Sequence, residues 1–66
     1  MHVGKAIKTL ISEKGINQKE LSEMIGYSEP AMTRLLKREH GGTAISKIAK
    51  VLKVSVDDIY RKALEF

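Results

Sequence analysis

The apolar residues of this chain recur three and four positions apart and nowhere alternate with period two over a useful length. They fall first at Val3, Ile7, Leu10 and Ile11, with Lys5, Lys8, Ser12 and Glu13 on the other side, which predicts an amphipathic helix. Gly15 ends it, because glycine accepts the left-handed conformation that a helix C-terminus often needs. Asn17, with Glu20 three residues on, forms a capping box for a second helix. That helix carries Leu21, Met24 and Ile25 on its inward side and stops at Gly26. Ser28 is the next N-cap. Pro30 fits only within a first helical turn, where its missing N–H has no intrahelical role, so Ser28-Glu29-Pro30 opens a third helix. Met32, Leu35 and Leu36 face inward from it. After the basic loop "KREHGG", Thr43 caps a fourth helix with Ile45, Ile48, Ala49 and Leu52 at helical spacing, and Lys53 breaks the pattern. Ser55 with Asp58 makes another capping box and opens a last helix containing Val56, Ile59, Tyr60, Ala63 and Leu64. The pattern predicts five short helices, no sheet, no internal repeat and no linker: an all-α chain in one domain over residues 1–66.

Composition narrows what such a domain does. A 66-residue chain builds a marginal core, so good helix packing or a partner subunit should contribute. There is no cysteine, hence no disulfide framework and no thiolate metal site. His2 and His40 are too far apart in sequence to suggest a zinc site. No apolar run exceeds two residues, which excludes a helical membrane span or a signal-peptide core and makes the cytoplasm the default location. Twelve Lys and Arg residues against eight Asp and Glu give a formal net charge of +4. That charge suits a polyanionic partner, although solubility explains it equally well on its own. Catalytic and cofactor motifs are missing. Asp57 and Asp58 are adjacent and read as first-turn acids, His40 has no nucleophile or carboxylate at a recognisable spacing, and Gly41-Gly42 lacks the lysine of a phosphate loop. Met24 and Met32 read as core.

The informative feature is the break inside "QKELSEMIGYSEPAMTRLLK", residues 18–37. Two short helices joined by a glycine turn can cross steeply, so that one lies across a phosphate backbone while the other enters the major groove. Such a unit needs apolar residues at its fourth, eighth, tenth, fifteenth and eighteenth positions, a small residue at the fifth and a left-handed glycine at the ninth. These slots hold Leu21, Ile25, Tyr27, Met32, Leu35, Ser22 and Gly26.

With these slots filled, the chain resembles the Cro/CI-type helix-turn-helix regulators of phages and bacteria over nearly its whole length. "INQKELSEMIGYSEPAMTRLL" is similar to the family's bihelical unit, and "ISKIAKVLKVSVDDIY" to the segment that follows it. The resemblance implies a compact five-helix, lambda-repressor-like DNA-binding domain whose second and third helices form the helix-turn-helix. It implies that Ser28, Glu29, Pro30, Thr33 and Arg34 read base edges. Arg34 is the best direct reader, since a guanidinium can bond guanine O6 and N7 together. Asn17, Gln18 and Tyr27 would meet the DNA backbone, with Gln18 offering a backbone N–H at a helix N-terminus. Lys37, Arg38 and His40 would grip the backbone after the third helix. The sequence departs from the family at Tyr27, where valine is usual, at Pro30, where a polar reader is frequent, at Leu36, where many relatives have glutamate, and at Lys53, a common glycine.

The expected function is therefore that of a sequence-specific regulator of double-stranded DNA, similar in size to a small phage Cro protein. It would be a repressor acting as a homodimer on a pseudo-palindromic operator, in the cytoplasm and associated with the nucleoid. The chain leaves no room for a self-cleaving or oligomerising domain. Tyr60, Leu64 and Phe66 are the candidate dimer contacts. No metal, cofactor, small-molecule ligand, membrane or enzymatic activity is expected. The rival expectation is a protein-interaction module on the same fold, an antitoxin or antirepressor with DNA binding secondary. Glu29 and Pro30 keep it open.

Overall fold

Val3, Ala6, Ile7, Leu10 and Ile11 share one side of a helix and are all buried. In the computed structural model, which describes residues 1–37 and 42–66, this helix is α1, Val3–Glu13. His2 caps it. The imidazole Nδ1 accepts from the Lys5 N–H at 3.1 Å, a cap the apolar spacing alone does not reveal. Helix α2, Gln18–Ile25, starts with the expected capping box. The Asn17 side chain accepts from the Glu20 N–H at 2.8 Å, and the Glu20 carboxylate accepts from the Asn17 N–H at 3.2 Å. Helix α3, Glu29–Leu36, has Pro30 in its first turn and is capped by Ser28, whose hydroxyl accepts from the Ala31 N–H at 3.3 Å. Helix α4 spans Ala44–Leu52 and helix α5 spans Val56–Ala63. The Ser55–Asp58 box at the start of α5 is present in both directions, at 3.0 and 3.2 Å. No strand occurs among the described residues, and no helix there is long and apolar enough to cross a membrane.

Two local expectations fail. Thr43 precedes α4, but its backbone is already helical, at φ −72° and ψ −22°, and its side chain makes no cap bond. An N-cap needs the extended conformation to bring its side chain back to the first turn. Met24, expected in the core, is 51% exposed. Leu21 and Ser22 are buried and Ile25 is half-buried. At roughly 100° per residue, Met24 lies well off the centre of that stripe. Met32 is fully buried, as expected.

The core draws on every helix. Ile7, Leu21, Met32, Leu36, Ile48 and Ile59 are among its fully buried side chains, each worth ~1.5–3 kcal/mol on burial. Helix α1 packs along α5 and against α3, while α2 packs against α3 and α4. The α1–α3 approach depends on Gly4, which is buried; a Cβ there would overlap the backbone carbonyl of Leu36. Leu36, at the position of the family's frequent glutamate, is 2% exposed and belongs to the core. Lys53 takes the left-handed conformation, φ 58°, after α4 and so occupies a glycine position at a conformational cost.

Candidate nucleic-acid interface

Gly26, at φ 77°, turns the chain between α2 and α3, a conformation that costs glycine little. On either side of it the buried positions face the core. Ser22 is 2% exposed, and its hydroxyl donates to the Lys19 carbonyl at 2.7 Å, so the small buried residue is satisfied. Tyr27 is half-buried against the core, with the Lys47 ammonium 5.9 Å from its ring centroid. The tenth slot of the unit is thus filled by an aromatic side chain whose body packs inward.

With Met32, Leu35 and Leu36 buried, the opposite face of α3 is open. Glu29, Pro30, Thr33, Arg34 and Lys37 are all exposed, and their spacing puts them on one side of the helix. Ser28 is exposed at its N-cap. Among the described residues no carboxylate pairs with Arg34 or Lys37.

The N-terminus of α2 sits beside this face. The Gln18 side-chain amide donates to the Thr33 hydroxyl at 3.0 Å, tying the first turn of α2 to the outer surface of α3. The capping box engages the Asn17 and Glu20 N–H groups, whereas the Gln18 and Lys19 N–H groups, in the first turn, have no intrahelical acceptor. Free N–H groups, the positive end of α2 and the exposed row on α3 thus share one surface, a combination suited to a phosphate backbone flanking a groove.

The remaining expected residues are placed unevenly. Arg38 and His40 lie outside the described residues. Tyr60, Leu64 and Phe66 are 36%, 71% and 46% exposed at the end of α5 and beyond it. Met1, 51% exposed, joins that end of the molecule because the His2 N–H donates to the Ala63 carbonyl at 3.3 Å. Sequence spacing could not have found Met1, since the contact joins the two ends of the chain. A shallow groove lined by Ser46, Lys47, Ala49, Lys50, Val54 and Val56 contains none of the expected site residues.

A family model described as Cro/C1-type HTH DNA-binding domain matches residues 6–61. The chain belongs to this family. The match runs through all five helices and includes the whole bihelical unit, so the chain carries the domain of a helix-turn-helix DNA-binding regulator. No curated protein and no solved structure matches the chain.

Proposed function

We propose that this protein is a sequence-specific transcriptional repressor, similar to a small phage Cro protein, that binds a pseudo-palindromic operator as a homodimer. The observation that carries this reading is the shared surface of α2 and α3, where unpaired N–H groups lie beside a row of exposed side chains joined to them through Gln18 and Thr33. In this arrangement α3 lies in the major groove. Arg34 bonds guanine bidentately, Thr33 and Pro30 meet apolar base edges, Glu29 accepts from a cytosine amine, and Ser28 contacts the groove from the N-cap. The first turn of α2, at Asn17 and Gln18, meets a phosphate, and Lys37, Arg38 and His40 follow the backbone beyond α3. Tyr27 supports this surface chiefly by packing.

The homodimer reading is supported by the exposed apolar group of Tyr60, Leu64, Phe66 and Met1 at one end of the subunit. A subunit measuring 26 × 21 × 19 Å is small enough for two to sit side by side with recognition helices ~34 Å apart, one turn of the duplex. Occlusion of a promoter would then repress transcription, in the cytoplasm and at the nucleoid, with no enzymatic step and no cofactor.

The test is the salt dependence of binding to duplex DNA. A groove binder loses affinity with a log–log slope of about −0.9 for each phosphate contact. Lys37→Ala should make this slope shallower by about one contact and weaken all sequences alike. A salt-independent affinity would instead favour a protein partner for this face. A Lys37→Ala loss confined to one base identity would contradict the backbone role.

A further inference from the structure

The shallow groove between α4 and the chain entering α5 has a volume of about 360 Å³ and is lined by Ser46, Lys47, Ala49, Lys50, Val54 and Val56. Its floor is apolar. Ala49 is buried, while Val54 and Val56 pack against the core and stay half-buried. Its rim is cationic. Lys47 and Lys50 are exposed and three residues apart, so both stand on one side of α4. Lys53, exposed and left-handed at the end of α4, continues the row.

The fold alone does not account for this concentration of one charge. From residue 40 to residue 56 the sequence carries Lys47, Lys50 and Lys53 and neither Asp nor Glu. Like charges one helical turn apart repel and weaken the helix that holds them. The dipole of α4 offsets this for Lys50 and Lys53 at its C-terminal end, but not for Lys47 in its middle. Lys47 is instead held against an aromatic face, its ammonium 5.9 Å from the centroid of the Tyr27 ring. A cation positioned in this way loses less rotamer freedom when it meets an anion. Among the described residues no carboxylate pairs with Lys47 or Lys50, and Asp58, just beyond the groove, is turned to Ser55 and Arg61.

We propose that this groove docks a short acidic segment of another protein, with apolar side chains seated on Val54 and Val56 and carboxylates on Lys47 and Lys50. An apolar floor inside a polar rim is the layout of a protein interface. A phosphate backbone would use the lysines and leave the valines unused. A second copy of this chain, docked here by two-fold symmetry, would set lysines against lysines. The groove shares no residue with the exposed row on α3, so docking here does not depend on the DNA-reading role proposed for that helix.

The test is a selection from a displayed library of random dodecapeptides, run on wild type and on Lys47→Glu with Lys50→Glu. Wild type should enrich peptides in which Asp or Glu flank leucine, isoleucine or phenylalanine. The best of them, made as a free peptide, should move the methyl resonances of Ala49, Val54 and Val56. The double variant should bind that peptide roughly 5- to 30-fold more weakly. Lys8→Glu with Lys14→Glu makes the same change of net charge at α1 and should bind it within roughly 2-fold of wild type. No enrichment, enrichment without acidic residues, or shifts confined to α3 would each overturn the proposal. An equal loss in both double variants would reduce the effect to net charge and overturn it too. If no peptide binds and Lys47→Glu with Lys50→Glu instead loses duplex affinity with a shallower salt slope, the lysines grip DNA. If that variant instead loses self-association, a second copy fills the groove. Either result removes the acidic partner.

Discussion

A methyl group at residue 4 would collide with the Leu36 carbonyl, and the carbonyl belongs to a helix backbone that cannot turn aside. Gly4→Ala should therefore destabilise the fold by ~1–3 kcal/mol, the usual range for overpacking. Urea unfolding reads this directly, and an unchanged midpoint would contradict the close approach of α1 to α3. In the proposed DNA-reading role of α3, Arg34 is the residue with most to lose. Arg34→Ala should weaken binding by ~1–3 kcal/mol and relax preference at one base position; equal retention of affinity for every operator variant would remove it from the reading set. At this scale the sequence is legible where chemistry is local. Pro30 and Gly26 announce the turn of the bihelical unit because each permits few backbone conformations. Gly4 announces nothing, since its need arises from a second helix far along the chain. Met24 misleads because a spacing of three places it near Leu21 on a short helix whose buried side is narrow.

The helices are defined at their ends more sharply than in their middles. Asn17–Glu20 and Ser55–Asp58 both close as capping boxes, and these were readable because donor and acceptor lie three residues apart. The Asp58 carboxyl is held below its ordinary range, first by hydrogen bonds from the Ser55 backbone and hydroxyl and then by the charge of Arg61. A carboxyl lowered on folding contributes stability above its unfolded pKa and loses it as pH falls through the folded value. Asp58→Asn should consequently flatten the acid limb of the stability curve, below about pH 4, and leave alkaline behaviour alone. Thermal melts across that range check it, and an acid limb identical to wild type would mean that the box contributes nothing in solution. The cap of α1 is not legible in the sequence because histidine is an unusual cap, and Thr43 misleads at α4 because threonine is a usual one.

Long-range pairing decides what remains. Lys62 donates to the Glu13 carboxylate at 3.2 Å and so links α5 to α1. That contact raises the Lys62 pKa, with Glu65 adding to it, and places its small stabilising effect below the ordinary lysine range, to be lost only at alkaline pH. Neither this pair nor Gln18–Thr33 could be read from spacing, because each joins residues from separate helices. The five-helix plan itself was legible, since helical periodicity and caps repeat along the chain and the family match covers residues 6–61. The apolar end formed by Tyr60, Leu64, Phe66 and Met1 belongs to the same scale. Leu64 is 71% exposed, so Leu64→Glu should leave folding intact while weakening self-association and operator affinity together. Sedimentation with and without DNA measures both, and a variant that still dimerises as wild type does would move the interface elsewhere.

The most direct test of the central claim, that α3 reads DNA as one half of a symmetric pair, is a selection of bound sequences from a random duplex library at near-physiological salt. The account predicts an enriched pseudo-palindrome with half-sites about one helical turn apart. Enrichment no better than non-specific binding would contradict it and turn attention to a protein partner for the same face.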